Sequence, residues 1–201
     1  MTPPLAALAV KPFGAAKQRL SRVLTPSQRH RLGRGLAERT LEIIEDAGLE
    51  PVVLAADAEV ESWAMARSTA VLTDPGDGLN GAAGGAAARA TRLGRPWLIC
   101  HADLPLLTAA ELRGPAAVVA SGGFVLAPSS DGGTSLLGGA GAFAFAYGPA
   151  SFHRHLARVA RHEPTIVTGL GLWLDLDSPA DLTAALRHPR GSRLRAILSD
   201  R

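Results

Sequence analysis

Short apolar runs alternate with longer helical segments through the first half of this chain, and this alternation constrains the fold more than any other feature. The apolar runs have the length and the flanking residues of buried strands, and they cover residues 5–10, 51–56, 70–72 and 97–100. Helical segments separate them, at residues 25–47, 58–67 and 79–93. Strand–helix alternation of this kind predicts an α/β fold with a mainly parallel sheet between layers of helices.

The start of the first helix is the clearest local signal. Thr25 occupies an N-cap position, Pro26 the first helical position, and Gln28 lies three residues after the cap. Gly48 then provides the usual C-terminal stop. These residues predict a helix that begins at Pro26 and ends near residue 47.

The second half of the chain is less regular. Strands are predicted at residues 118–119, 124–128, 143–147 and 171–175, and helices at 108–112, at 151–163 and from Ser178–Pro179 onward. A glycine-rich stretch covers residues 131–137, and residues 187–201 form a basic segment that we expect to be a frayed tail. At 201 residues, we expect one domain over residues 1–201.

Several classes of protein are excluded by simple arguments. The uncharged stretch at residues 114–130 contains glycine and proline and is shorter than a membrane span. The first apolar run lacks the preceding basic residues of a signal peptide, so we expect a cytoplasmic protein with no membrane partner. Cys100 is the one cysteine, which excludes an internal disulfide, and its apolar neighbours indicate a core position.

Positive charge is concentrated near the beginning of the chain. Residues 1–39 contain eight cationic side chains and a single carboxylate, Glu38. The chain has 21 cationic residues, of which Lys11 and Lys17 alone are lysines. The arginines from Arg22 onward could form the solvated face of a helix, whereas the two lysines and Arg19 follow a buried strand. We therefore expect an anionic ligand next to the first strand.

Charged residues also follow other predicted strands, where open α/β sheets bind ligands. Asp103 follows the fourth strand, and Asp175 and Asp177 come at the end of the last one. Asp103 could instead bond turn amides, and the other two would repel each other unless a cation lies between them. Carboxylates together with Lys and Arg suggest Mg²⁺ and a polyphosphate, because Mg²⁺ bridges carboxylate and phosphate oxygens.

Glycine-rich loops supply backbone amides for an anion. Residues 77–80, 132–134 and 148–151 each place glycine beside a polar side chain, although the first could be a simple turn with a helix cap. The chain contains no Walker A motif, and no Gly-x-Gly-x-x-Gly fingerprint follows the first strand. No nucleophile with a paired base is recognisable, so acyl transfer has no support.

The combination of motifs resembles a known family. Ala9-Val-Lys-Pro12, Ala16-Lys-Gln-Arg-Leu20, Gly78-Leu-Asn80, Ala102-Asp-Leu-Pro105, Gly132-Gly-Thr134, Tyr147-Gly-Pro-Ala-Ser151 and Asp175-Leu-Asp-Ser-Pro-Ala-Asp-Leu182 occur in the order seen in the CofC/FbiD guanylyltransferases. The match extends over nearly the whole chain. The resemblance implies the nucleotide-diphospho-sugar transferase fold, shared with molybdopterin guanylyltransferase.

The resemblance also implies a reaction. Family members join GMP from GTP to a small 2-phospho-acid in the biosynthesis of coenzyme F-420 and release pyrophosphate. The acceptor is phosphoenolpyruvate in actinobacterial members, which give enolpyruvyl-2-diphospho-5'-guanosine, and 2-phospho-L-lactate in archaeal members, which give lactyl-2-diphospho-5'-guanosine. The arginine- and alanine-rich composition is typical of a high-GC actinobacterium and favours phosphoenolpyruvate.

Site residues follow from the resemblance position by position. It implies Mg²⁺ on Asp103, Asp175 and Asp177, the phospho-acid on Thr134, Gly148 and Ser151, GTP near Lys11, Lys17, Arg19 and Asn80, and a catalytic role for Lys17 and Asp103. Two positions depart from the family pattern. Ser135 replaces an asparagine, and Ala102 precedes Asp103 where many relatives have glycine.

Other interpretations remain at this point. A related nucleotidyltransferase could act on a sugar phosphate or molybdopterin, but its usual Leu-Ala-Gly-Gly opening is absent. A nucleic-acid binder would use the basic first third, but it would leave the aspartates unexplained. The sequence does not separate phosphoenolpyruvate from 2-phospholactate or 3-phosphoglycerate, and the predicted 143–147 strand offers an edge for a homodimer.

Overall fold

A computed structural model describes residues 3–15, 17–73 and 78–199. Its seven strands are β1 (Leu5–Val10), β2 (Glu50–Ala55), β3 (Ala70–Thr73), β4 (Trp97–His101), β5 (Val125–Pro128), β6 (Thr134–Gly139) and β7 (Thr165–Ile166). Its eight α-helices are α1 (Pro26–Asp46), α2 (Ala58–Ala66), α3 (Gly78–Arg92), α4 (Ala109–Ala120), α5 (Ser151–Val159), α6 (Leu170–Trp173), α7 (Pro179–Arg187) and α8 (Ser192–Ser199). Short 3-10 turns connect several of these elements. Ala16 and Asp77, which belong to two of the predicted motifs, lie outside the described residues.

The strands form one sheet in the order β3-β2-β1-β4-β6-β5-β7. Six of them run in the same direction, and β6 runs antiparallel to both of its neighbours. The amino end of β6 therefore lies at the edge where the other strands have their carboxyl ends. We call this edge the ligand rim. The prediction of a mainly parallel α/β sheet is confirmed.

Helices cover both faces of the sheet. One face packs against α1, α2 and α4, and the opposite face packs against α3 and α5. The buried side of α3 consists of alanines, which allow this helix to lie close to the sheet; they are Ala82, Ala83, Ala86, Ala87 and Ala90. A third apolar cluster joins the first half of α1 to α7 and α8. None of the helices in the described ranges combines the length and hydropathy that a membrane crossing requires.

Local capping explains where the helices begin. The Thr25 hydroxyl accepts from the Gln28 amide, and the Gln28 side chain accepts from the Thr25 amide, so both donors at the start of α1 are satisfied. Ser178 and Asp181 form the same reciprocal arrangement at the start of α7. Both helix starts were predicted from the sequence. Cys100 is buried, as expected, and burial raises the pKa of its thiol to about 12.

The structure corrects three predictions in the second half and adds one strand that was not predicted. Residues 118–119 lie in α4, which continues past Pro115 because Leu112, Ala116 and Val119 bury one face of the helix. The glycine-rich stretch contains strand β6. The predicted strand at 171–175 is a short helix followed by an extended loop. The segment expected to fray contains α8, whose Leu194 is buried against α1 and α7.

A further correction concerns residues 143–147, which form no strand. Phe143, Phe145 and Tyr147 alternate as a strand would, but their rings pack on one another, with centroids 5.0 and 5.9 Å apart. The backbone amides of this segment bond to side chains instead of a neighbouring strand. The amide of Ala146 donates to His155, and that of Tyr147 donates to Asn80. The segment therefore offers no strand edge for a homodimer.

Candidate functional site

The sheet brings chemically active side chains together at the ligand rim. Lys11 directly follows β1, Asp103 follows β4, Asp131 follows β5, and Thr134 opens the reversed strand β6. Carboxyl ends of parallel strands meet at one edge, and the reversal of β6 adds its amino end to the same edge. The rim is thus supplied by loops that are far apart in sequence.

Lys17 lies at the centre of this rim. Its Nζ is 3.0 Å from Asp103 Oδ2 and 3.5 Å from Asp177 Oδ1, and only 7% of its side chain is exposed. Arg19 approaches the other oxygen of Asp177 at 3.5 Å, but its side chain is largely exposed. Lys17 also has a left-handed backbone, with φ of 56°. This conformation costs a non-glycine residue about 1–2 kcal/mol, so the loop is held in place by its contacts.

The charge of Asp103 is set by its surroundings. Burial is the largest single influence and would raise the pKa of this carboxyl, but the nearby positive charges, of which Lys17 is the strongest, together outweigh it. The net effect lowers the pKa well below its ordinary value, so Asp103 is ionised at neutral pH. Its Oδ2 is bonded to Lys17, whereas its buried Oδ1 has no hydrogen-bonding partner among the described residues. That oxygen is available to a cation.

Three other carboxylates form a compact group. Asp131, Asp175 and Asp177 each place an oxygen within 4.8 Å of the other two. Burial raises the pKa of Asp175, and the charges of Asp131 and Asp103 raise it further, although the Ser130 hydroxyl bonds to it at 2.7 Å. A divalent cation would remove this repulsion, since clustered carboxylates are the usual protein ligands of such ions.

Asp131 is the member of this group that the sequence prediction missed. It follows β5 just as Asp103 follows β4, so the strand-end rule that selected Asp103 also applied to it. Its Oδ1 accepts from the Ser129 hydroxyl at 2.6 Å and the Gly133 amide at 2.8 Å. The Ser129 bond is the main cause that lowers the pKa of Asp131, so this carboxylate is ionised. It thus adds a negative charge to the group.

An extended loop presents Asp175 and Asp177. This loop follows α6 and is fixed by two backbone bonds, from Ser130 N–H to Trp173 O at 2.8 Å and from Leu176 N–H to Asp103 O at 2.9 Å. Leu176 is buried, so the aspartates on either side of it share the outer face. The predicted alternation therefore holds even though the segment is not a strand.

Helix α6 is placed by one carboxylate of α4. Glu111 Oε1 accepts from the Gly171 amide at 3.0 Å. A Cβ atom at position 171 would lie 2.7 Å from the Cα of Leu107, so this position requires glycine for a close approach. The contact fixes the start of the loop that carries Asp175.

Two pockets meet at the carboxylates. The first, of about 300 Å³, lies between the ends of β1 and β2 and the start of α3, and its walls are mostly apolar, with Ala9, Leu54 and Leu79 among them. The second, of about 400 Å³, is lined by polar groups of β6, α5 and the adjoining loops, with Thr134, Gly148 and Ser151 among them. Residues shared by both pockets are Lys11, Leu79, His101, Asp103 and Asp177. The shared residues make the two pockets neighbours across the carboxylates.

The second pocket has two hydroxyls and a glycine turn. Thr134 Oγ1 and Ser151 Oγ are 3.2 Å apart, and both residues are buried. Gly148 has φ of 121°, a conformation that favours glycine, and its carbonyl accepts from the Ser151 amide at the start of α5. Predicted phospho-acid residues therefore lie together at one end of this pocket.

Asn80 lies at the edge of the second pocket. Its side-chain oxygen accepts from the Tyr147 amide at 2.7 Å, and its side-chain nitrogen donates to the Tyr147 carbonyl at 3.4 Å. Both polar groups of Asn80 are thus bonded to the backbone of the aromatic segment. The ring of Tyr147 packs against His101, with centroids 5.3 Å apart. Burial lowers the pKa of His101, which keeps its ring neutral.

The chain is similar to known proteins over nearly its whole length. Residues 5–200 match the family described as guanylyl transferase CofC-like. A phosphoenolpyruvate guanylyltransferase of Nocardia farcinica is 35% identical over 97% of this chain and 90% of its own length. A 3-phospho-D-glycerate guanylyltransferase of Phenylobacterium zucineum is 32% identical over 97% and 95%, and a 2-phospho-L-lactate guanylyltransferase of Halomicrobium mukohataei is 33% identical over 90% and 86%.

Solved structures with the same fold include nucleotide-transferring enzymes. A Desulfovibrio desulfuricans G20 protein described as a nucleotide-diphospho-sugar transferase superposes with a TM-score of 0.79 at 16% identity, over 98% of this chain and 97% of that one. A Mycobacterium tuberculosis protein solved in complex with manganese superposes with a TM-score of 0.55 at 19% identity, over 92% and 97%. At these identities the likeness concerns the fold.

Proposed function

Because this chain belongs to the CofC-like guanylyltransferase family, we propose that it transfers GMP from GTP to phosphoenolpyruvate, forming enolpyruvyl-2-diphospho-5'-guanosine and pyrophosphate. Its class of activity, nucleotidyl transfer, follows from the family match and the similar relatives. Phosphoenolpyruvate is the acceptor in the name of the Nocardia relative, while other relatives are named for 2-phospho-L-lactate or 3-phospho-D-glycerate. The choice among these three acceptors is part of the proposal.

The observation that carries the proposal is the meeting of two unlike pockets at one group of carboxylates. The apolar pocket beside α3 suits a nucleoside, and Lys11 and Lys17 suit its phosphates, as compact cations that bind phosphate oxygens. The hydroxyl-lined pocket at Thr134, Gly148 and Ser151 suits a small phospho-acid. The two phosphates that must be joined would then approach each other where the pockets meet.

The reaction needs little covalent help from the protein. A phosphate oxygen of the acceptor, already ionised at neutral pH, attacks the α-phosphorus of GTP. A new P–O bond forms as the bond between the α-phosphorus and the bridging oxygen breaks, and pyrophosphate carries away that electron pair. No general base or protein nucleophile is required. Catalysis then consists of positioning and charge neutralisation, in which Lys17 would hold a GTP phosphate.

The carboxylates fit a divalent cation. Asp103 offers an unbonded buried oxygen, and Asp131, Asp175 and Asp177 offer three more that lie close together. These residues would hold Mg²⁺, which, when bound, neutralises negative charge on phosphate oxygens. Arg19 would screen the outer side of the same site through Asp177. Asn80 would act at the edge of the hydroxyl-lined pocket, beside the nucleotide pocket that its neighbour Leu79 lines, by fixing the Tyr147 backbone.

A pyrophosphate-release assay tests the proposal. The purified chain is given Mg²⁺, GTP or ATP, and one of phosphoenolpyruvate, 2-phospho-L-lactate or 3-phospho-D-glycerate, and products are identified by mass spectrometry. We expect the largest kcat/KM with GTP and phosphoenolpyruvate, and a product carrying GMP on the acceptor phosphate. A larger kcat/KM with another phospho-acid would reassign the acceptor. Absence of turnover with all three, with turnover on a sugar phosphate instead, would refute the proposed reaction.

A further inference from the structure

A fully buried histidine lies behind the hydroxyl-lined pocket. His155 is in the second turn of α5, its ring is completely inaccessible to solvent, and it contacts the pocket through one residue. Its Nδ1 is 2.9 Å from Thr134 Oγ1. Its Nε2 is 2.8 Å from the backbone nitrogen of Ala146. Nothing in the reaction described above requires this ring.

The Ala146 contact fixes the tautomer of the ring. A backbone N–H can only donate, so Nε2 must be the unprotonated acceptor. The proton of a neutral ring is then on Nδ1, which faces Thr134. Burial lowers the pKa of His155 to about 4, and the nearby charges of Arg158 and Arg154 lower it too, so the ring is neutral at physiological pH.

The tautomer in turn fixes the Thr134 hydroxyl. Nδ1–H donates to Thr134 Oγ1, which therefore uses a lone pair on the histidine and directs its own proton elsewhere. The other polar neighbour of Oγ1 is Ser151 Oγ at 3.2 Å, on the pocket side. With no donor behind it, Thr134 could instead donate its proton backward and present only lone pairs to an anion. An anion needs donors, so this direction matters.

The ring has little freedom to turn. Tyr147 packs against it edge-to-face at 4.8 Å between centroids, and Phe143 and Phe145 lie at 6.0 and 6.4 Å. These aromatic residues belong to the irregular segment whose Ala146 amide binds Nε2. Packing and hydrogen bonding therefore select the same orientation.

We propose that His155 is a positioning residue that orients the Thr134 hydroxyl as a donor toward the phosphate or carboxylate of the acceptor. This inference rests on the proposed function, because it assumes that the phospho-acid occupies the pocket at Thr134 and Ser151. His155 itself touches neither substrate. It acts through its hydrogen bond to Thr134, so it should affect the binding of the acceptor and not that of GTP.

Two amide substitutions separate this role from a structural one. In His155→Asn, the side-chain amide can reach the position of Nδ1 and donate to Thr134, but the Ala146 amide loses its acceptor. In His155→Gln, the side-chain oxygen can reach the position of Nε2 and accept from Ala146, but Thr134 loses its donor. Each variant thus keeps one of the two bonds.

We expect His155→Gln and His155→Asn to rank in opposite orders for thermal stability and for affinity for the acceptor. His155→Gln should raise the KM for the phospho-acid by about tenfold or more, since a hydrogen bond to a charged group is lost or misdirected. His155→Asn should leave that KM within about threefold of the wild type while lowering the melting temperature more than His155→Gln does. The KM for GTP should stay unchanged in both. An equal increase in both KM values, or one that follows the melting temperature, would overturn the proposal.

A double variant tests whether the effect passes through Thr134. Thr134→Val removes the hydroxyl and keeps the shape, so it should itself raise the acceptor KM by about tenfold. Adding His155→Gln should then raise the KM no further, and an additive effect would overturn the proposal even if His155→Asn fails to fold. If Thr134→Val leaves the acceptor KM unchanged, the phospho-acid does not bind this hydroxyl. If the wild type accepts none of the three phospho-acids, the proposed function fails instead.

Discussion

The two halves of the ligand rim are built in different ways. In residues 5–103, strands β1, β2 and β4 present their carboxyl ends in a regular parallel array, and the backbone bonds of these elements are mainly those of strands and helices. In residues 125–177, several backbone amides bond to side chains instead. Backbone amides there donate to the side chains of Asp131, Glu111, His155 and Asn80.

This difference shows what holds the lining residues of each pocket in place. The apolar pocket comes from elements whose form is determined locally. The hydroxyl-lined pocket comes from irregular backbone that long-range side-chain bonds hold in place, as is common where binding residues lie on loops over a rigid scaffold. The carboxylates join the halves, because Asp103 belongs to the regular one and Asp131, Asp175 and Asp177 belong to the other.

The largest effect is expected where the two halves meet. Asp177 lines both pockets and belongs to the carboxylate group that would hold Mg²⁺, so Asp177→Asn should lower kcat/KM by about 10²–10³-fold by weakening the binding of the cation that would neutralise the phosphates. Steady-state kinetics with GTP and phosphoenolpyruvate measure this effect. Asp46→Asn is the matched control, since Asp46 lies exposed at the end of α1 and lines neither pocket. Near-normal turnover of Asp177→Asn would show that the halves do not share a catalytic centre.

The next effect tests whether the end of the chain belongs to the folded body. Leu194 of α8 is 2% exposed in the cluster that joins α1 and α7. Leu194→Ala should therefore lower the free energy of unfolding by about 2–5 kcal/mol, as buried leucines do. Urea denaturation measures this value, and Val23→Ala, at an exposed site, should change it by no more than about 0.5 kcal/mol. An equally small change in Leu194→Ala would restore the expectation of a frayed tail.

These contrasts also show what the sequence could predict. The first strand, the Thr25–Pro26–Gln28 cap and the strand-end positions of Lys11 and Asp103 follow from local patterns, and the structure has them. The fold class and the family follow from the same patterns. Local rules succeed here because each element is long enough to bury a face by itself.

Local rules fail where a distant side chain determines the backbone. The four-residue helix α6 depends on Glu111 of α4, and no pattern within residues 170–173 contains that information. The aromatic segment alternates as a strand does, yet its amides bond to Asn80 and His155. Asp131 was not predicted for another reason, because the glycines that follow it are typical of a loop and hide the end of β5 in the sequence.

An intermediate effect concerns the irregular half alone and depends on pH. The pKa of His155 is lowered from 6.5 to about 4 in the folded state, so the unfolded chain binds a proton more tightly. The free energy of unfolding is therefore highest above pH 6.5 and decreases as the pH falls toward 4. About 2 kcal/mol of it is lost between pH 7 and 5. Denaturant titrations of the wild type and His155→Gln at both pH values measure it. Equal losses in the two proteins would show that His155 is not the group responsible.

The smallest effect concerns the regular half. Lys17 lines the apolar pocket and contacts Asp103 and Asp177, but it does not line the hydroxyl-lined pocket. Lys17→Gln keeps a donor for Asp103 and removes the charge, so the KM for GTP should rise by about tenfold, as expected when a charged hydrogen bond becomes a neutral one. The KM for the phospho-acid should change by less than about twofold if it depends on the other half.

This result would be the mirror image of the one expected for His155→Gln, which affects the acceptor and spares GTP. Arg22→Gln is the control, because Arg22 is a basic residue of the same loop region that lines neither pocket and is exposed. If Lys17→Gln raised the acceptor KM and left that of GTP unchanged, the assignment of the two pockets would have to be exchanged. If Lys17→Gln raised the KM for GTP and the KM for the acceptor equally, Lys17 would act through the carboxylates that both pockets share. The two halves would then bind different substrates but share one electrostatic centre.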